Sequence, residues 1–162
     1  MPIAGLESYL RLFAEYQVEF VIVGGVAASL HGASFLTFDF DICYARSKPN
    51  VNRLVTALKS VRARLRGAPE NVPFQLDTET LLHGMNFTFT TDIGNVDILG
   101  ELMGVGGYAE AREGAAIVPI FGHEYAVLSL KKLIASKRAA GRRKDLIVLP
   151  ELEALYEDQS RD

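Results

Sequence analysis

FVIVGGVAASLHGASFLTFDFDICY, residues Phe20 to Tyr44, decides how the chain reads. Phe20-Val21-Ile22-Val23 is apolar at every position and rich in β-branched residues, which suits a strand covered on both faces. Gly24-Gly25 ends it. Two glycines permit backbone angles closed to other residues and allow another group to come close to the chain, and the first turn of a following helix leaves N–H groups free to face an anion. Val26 to Leu30 reads as that helix, stopped near His31-Gly32. Phe38-Asp39-Phe40-Asp41-Ile42 then alternates with a period of two. This predicts a strand with both carboxylates on one face and Phe38, Phe40 and Ile42 on the other. The two Asp Cα atoms stand ~7 Å apart along an extended strand, a reach from which both side chains can converge on one cation or on a pair of cations.

An acid-x-acid pair is common, and the chain has two more, Asp77/Glu79 and Glu151/Glu153. These follow polar or helical patterns and are expected to be solvated. Only Asp39/Asp41 lies in an apolar strand directly after a strand, a Gly-Gly turn and a short helix. Gly24-Gly25, His31-Gly32, Thr37 and Asp39-x-Asp41 together resemble the signature of the nucleotidyltransferase superfamily to which DNA polymerase β belongs. The nearer likeness is to its minimal single-domain bacterial members, including the abortive-infection toxin nucleotidyltransferases. Such proteins often carry Arg in the loop before the Thr, where this chain has Phe35 and Leu36.

The composition bounds the remaining possibilities. With 162 residues, 49% hydrophobic and 23% charged, the chain fits one soluble globular domain spanning residues 1–162. A formal net charge of -3 gives no global attraction to nucleic acid, so any such binding must come from a local patch. The N-terminus lacks the basic and apolar regions of a signal peptide, and no apolar run approaches the ~20 residues of a membrane span, so a cytoplasmic protein is expected. Cys43, the single cysteine, closes an apolar strand and reads as core.

Outside the central block, Leu6, Tyr9, Leu10, Phe13 and Ala14 recur at helical spacing. Ser47 to Asn50 starts a second helix whose apolar face runs from Val51 to Leu65, with Arg53, Lys59, Arg62 and Arg66 as a solvated basic face. Phe74-Gln75-Leu76 reads as a short strand. Met85 to Thr90 and Val96 to Leu99 form a hairpin about Asp92-Ile93-Gly94-Asn95. Asp97, between Val96 and Ile98, points away from them, and the pattern leaves an edge role and a site role near even. Gly100 to Gly107 lacks the ending of a phosphate-binding P-loop and reads as a flexible connection. Two strands follow, with Pro119 placing the first at an edge. Ser129 caps a helix through Ala140, Gly141 ends it, and a last helix is expected to be interrupted at Pro150. Lys131 to Lys144 holds seven basic residues and no acidic one.

The resemblance implies an α/β fold, a short, mixed, twisted sheet flanked by helices. It makes Asp97 the third carboxylate beside Asp39 and Asp41. It places Lys137 in the active cleft and Arg142, Lys144 and Asp145 at its rim. Three carboxylates ~4 Å apart repel by on the order of 4 kcal/mol per pair at an effective dielectric of ~20, and a divalent cation removes that penalty. Oxygen-only ligands favour Mg²⁺ or Mn²⁺. The expected activity is transfer of a nucleoside monophosphate from an NTP to a hydroxyl, with Asp39, Asp41 and Asp97 as catalytic and metal-holding residues and Gly24, Gly25, Thr37 and Lys137 on the nucleotide. Protein, tRNA and small-molecule acceptors all remain open, as do a second copy of the chain or a cognate antitoxin as partner. The competing reading is a non-catalytic nucleotide- or partner-binding module with the same fold.

Overall fold

The computed structural model describes residues 5–34, 37, 39–69, 71 and 73–161. Its frame is a seven-stranded mixed sheet in the order β3-β4-β5-β2-β1-β7-β6. In chain order the strands are β1 (Phe20–Val23), β2 (Phe40–Tyr44), β3 (Arg64–Leu65), β4 (Asn86–Thr90), β5 (Asn95–Leu99), β6 (Ala116–Ile120) and β7 (His123–Val127). The helices are α1 (Leu6–Glu15), α2 (Gly24–Leu30), α3 (Lys48–Ser60), α4 (Thr78–His83), α5 (Tyr108–Arg112), α6 (Leu130–Ala140) and α7 (Arg143–Ser160). β2 runs antiparallel to β1 and parallel to β5, so the two central pairings place one end of β2 beside both the Gly24 turn and Asp97.

Alternation along β1 and β2 feeds two cores. Ile22, Phe40, Ile42 and Tyr44 join α1 and α3 on one face. Val21, Val23 and Cys43 join α6 and α7 on the other. This is why β1 is apolar throughout: both of its faces are covered. On β2, Asp41 alternates with Phe40 and Ile42 and so falls on the Cys43 side, toward α6 and α7.

Several expectations are corrected. α3 stops at Ser60 and does not continue to Leu65. Arg62 takes the left-handed conformation (φ 53) and Ala63 N donates to Leu58 O, a cap that turns the chain out of the helix. Residues 64–65 then pair with β4 as strand β3. Phe74-Gln75-Leu76 forms no strand, and Asp77 caps α4 by accepting from Thr80 N at 2.8 Å. Glu151 is engaged, accepting from Ser34 N at 2.7 Å, and Glu153 pairs with Arg138. The glycines after β5 make a closed turn bridged between Leu102 and Gly106, with α5 following. α7 runs unbroken through Pro150. Pro150 and Leu146, whose carbonyl loses its helical donor, both face solvent, where water can satisfy the carbonyl.

Candidate active site

The turn out of β1 is shaped around side chains. Gly24 has φ 67, and a Cβ built on it lies 2.9 Å from the carboxyl carbon of Asp41. A Cβ on Gly25 lies 2.6 Å from Cβ of Thr37. Both glycines are therefore required by close approach, and what approaches is the chain's own Asp41 and Thr37. Asp39 sits in a bend just ahead of β2 rather than within it, so the period-two argument holds for Asp41 alone. Phe38, Phe35 and Leu36, on which the rest of the strand and the loop comparison fell, lie outside the described residues.

Asp41 and Asp97 are register partners across the parallel β2–β5 pair. Together with Asp39, Gly25 and Thr37 they line a cavity of about 530 Å³, closed on the far side by Lys137 from α6 and by Arg142, Lys144 and Val148 around the start of α7. Burial pushes the Asp41 carboxyl up to about 8, the charges of Asp97 and Asp39 add to the rise, and Lys137 opposes it. One Asp41 oxygen, Oδ1, is buried without any hydrogen-bond partner.

The basic wall is fixed from behind. Asp145, fully buried at the third position of α7, accepts from Arg142 Nε at 2.6 Å and from its backbone N at 3.2 Å, and pairs with Lys137 Nζ at 3.4 Å. Burial alone would raise its carboxyl, but the hydrogen bond from Arg142 and the charges of Lys137 and Arg142 outweigh it and hold the group below the usual carboxylate range. Asp145 is thus not a rim residue, as the sequence suggested; it is the buried anchor that aims Lys137 and Arg142.

The helical period from Val51 to Leu65 puts Arg66 on a solvated face. The structure places it across the sheet instead. Its backbone N donates to Thr88 O on β4, and its side chain crosses that strand to reach Asp97 Oδ1 at 2.8 Å and Phe89 O at 2.9 Å. A second guanidinium nitrogen stands 3.9 Å from Asp39 Oδ2. Asn95 Nδ2 also donates to Asp39, at 3.4 Å. A signal for Arg66 was present: Arg62-Ala63-Arg64-Leu65-Arg66 alternates with period two, a strand pattern that the longer helical period before it obscured.

A divalent cation can be tested against these residues. The donors are oxygens only, and Asp41 Oδ1 is a buried acceptor with no partner, which fits a hard cation. As the side chains stand, no three His, Cys, Asp or Glu among the described residues are gathered closely enough to hold a metal. The fit is therefore to a carboxylate pair completed by ligands from outside the chain, the usual arrangement for Mg²⁺ with a phosphorylated substrate.

No protein-family model matches the chain, and no curated protein matches it in sequence. Solved structures do. The lincosamide antibiotic adenylyltransferase LnuA, in its lincomycin-bound form, superposes with a TM-score of 0.61 over 93% of this chain and 96% of its own, at 12% identity. The antibiotic-resistance factor ANT(2'')-Ia, in complex with adenylyl-2''-tobramycin, gives 0.57 over 96% and 95% at 15% identity. Its solution structure gives 0.56 over 97% of this chain and 90% of its own. The chain has a nucleotidyltransferase fold. The α/β class and the mixed sheet expected from the sequence are those of this nucleotidyltransferase frame. No helix is long and apolar enough to cross a membrane among the described residues.

Proposed function

We propose that the protein is a metal-dependent nucleotidyltransferase that moves a nucleoside monophosphate from an NTP to a hydroxyl. The observation that supports this most is the cleft itself: Asp41 and Asp97 side by side on β2 and β5, Asp39 at their edge, and Lys137, Arg142 and Lys144 facing them. Acid on one wall and base on the other suits a triphosphate chelated to a cation. The nucleotidyltransferase fold shared with the lincosamide adenylyltransferase LnuA supports the same reading.

Asp41 and Asp97, with Asp39 at their edge and phosphate oxygens of the substrate completing the set, would hold Mg²⁺ or Mn²⁺, which when bound neutralises the phosphates and lowers the charge cost of the transition state. Lys137 and Arg142, locked by Asp145, take the β- and γ-phosphate oxygens and hold the chain of phosphates in one pose, which supplies much of the rate through orientation. Thr37 and the Gly25 turn border the same space. Asp97 accepts the proton of the acceptor hydroxyl. The acceptor oxygen bonds to the α-phosphorus as the bond from that phosphorus to the β-bridging oxygen breaks, and pyrophosphate leaves.

The acceptor is a small hydroxylated molecule, a tRNA 3′ end or a protein side chain, and a toxin paired with a cognate antitoxin is one setting for such an activity. The test is Mg²⁺-dependent pyrophosphate release with each of the four NTPs, against a panel of hydroxylated antibiotics, tRNA and the protein itself. Release that requires one acceptor class assigns it. Nucleotide binding without any release favours the binding module, and no nucleotide binding at all removes both readings.

A further inference from the structure

Arg66 has no place in the reaction just described, yet it is tied to two of its carboxylates. Its Nη2 donates to Asp97 at 2.8 Å and to the Phe89 carbonyl at 2.9 Å, and its Nη1 stands 3.9 Å from Asp39. Its side chain is half-buried, at 28% exposure, and its Nε is buried with no partner. A solvated arginine would keep all of its donors wet; this one gives up hydration at Nε to hold a position over Asp97. The Phe89 bond is a second, independent restraint that fixes the fork where it meets the acid.

From this geometry we propose that Arg66 is a resident counter-ion that competes with the divalent cation for Asp97 and Asp39, so that cation loading depends on arrival of the nucleotide. The inference rests on the proposed reading of the cleft as a cation and triphosphate site. A guanidinium on one oxygen of Asp97 and a divalent ion on the other repel each other strongly, so the bound Arg66 lowers the affinity of the site for the cation and the cation weakens the hold of Arg66. An incoming triphosphate offers the guanidinium a better partner, because Arg binds phosphate oxygens through paired N–H donors. Arg66 then leaves the acids as the phosphates enter, and the nucleotide brings the cation to a site that has just been freed. Without nucleotide, Arg66 offsets the charge of Asp97 and lies within reach of Asp39, while the neighbouring Asp41 keeps an unpartnered oxygen. Arg66 is thus a positioning residue and a gate on metal affinity, distinct from the groups that touch the reacting atoms.

The experiment is a Mn²⁺ titration of nucleotide-free protein by electron paramagnetic resonance, comparing wild type, Arg66→Gln and Arg66→Lys, repeated with a non-hydrolysable NTP analogue. Arg66→Gln is expected to bind Mn²⁺ about tenfold more tightly than wild type without nucleotide, since a competing unit charge is gone from the site. Arg66→Lys, which keeps the charge but not the fork, falls between. The analogue is expected to raise Mn²⁺ affinity strongly in wild type and weakly in Arg66→Gln. If Arg66→Gln does not fold, the Lys variant decides by the same comparison. Equal or weaker Mn²⁺ affinity in the folded variants overturns the proposal. Active transfer in wild type together with that result removes this inference alone, whereas the expected Mn²⁺ pattern without any transfer keeps the gate and removes the proposed reaction.

Discussion

Asp41 and Asp97 are register partners in one sheet, yet the protein treats them oppositely. Asp97 has a guanidinium against it; Asp41 has burial, two neighbouring acids and an orphaned oxygen, and its carboxyl rises to about 8. The sign of the consequence follows from linkage. Below the ordinary carboxylate value of 3.8 the group is protonated in both folded and unfolded chains and contributes nothing. Above it the unfolded chain releases the proton while the folded chain keeps it, so stability falls as pH rises toward about 8 and is flat beyond. In chelator, the melting temperature of Asp41→Asn should therefore exceed that of wild type by a margin that widens from about pH 5 to about pH 8. A margin that stays constant with pH would remove the raised carboxyl. Asp97→Asn should behave differently, because it breaks the pair with Arg66 and strands a half-buried guanidinium. Lys137 belongs to the same scale. Arg142 continues to hold Asp145 when Lys137 is lost, so Lys137→Ala should change stability by less than about 1 kcal/mol while weakening NTP binding measured by calorimetry with Mg²⁺. Unchanged NTP affinity would take Lys137 out of the site.

At the scale of elements, most of the frame was legible. β1 declared itself by apolar residues at every position, α6 by Ser129 at its start and Gly141 in the left-handed conformation at its end. What could not be read was how strands bring distant residues together. The alternation of Arg62 to Arg66 is local, but its meaning depends on β3 pairing with β4 and β4 with β5, which no short window contains. Gly24 and Gly25 were read as leaving room for phosphate; the room is filled first by Asp41 and Thr37, because a glycine in sequence says that something comes close without saying what. The three-acid pattern was legible only through family resemblance, since Asp97 lies between apolar neighbours with no local sign of its partner. Pro150 shows the limit of a local rule. A proline costs a helix about 3 kcal/mol when its lost bond is buried, but here the freed Leu146 carbonyl faces water and α7 continues. Replacing it should recover the part of that cost which water does not repay. Pro150→Ala is expected to raise unfolding stability by about 1–2 kcal/mol in urea. A fall in stability would mean that the proline's restriction of the unfolded chain outweighs the missing bond.

For the molecule as a whole, the question is whether the two layers can come apart. The apolar positions of β1 and β2 are divided between them, Ile22 and Tyr44 to the α1–α3 side, Val21 and Cys43 to the α6–α7 side. Each strand buries both faces, so losing either layer exposes apolar surface on the shared sheet and removes support for the other. The cleft is built across this same join, with its acids on the sheet and its Lys137 and Arg142 on the second layer. Unfolding in urea should therefore be a single transition. Two native probes can check it from opposite sides: near-ultraviolet dichroism of the buried Tyr9 and Tyr44 reports the first layer, and reactivity of the buried Cys43 thiol reports the second. The two midpoints should coincide with each other and with far-ultraviolet dichroism. Mg²⁺ with NTP should move all three together, by an amount set by the ratio of free ligand to its dissociation constant. If the Cys43 probe opens at lower urea than the tyrosines, the α6–α7 layer is a separate unit, and the basic wall of the cleft moves independently of its acids.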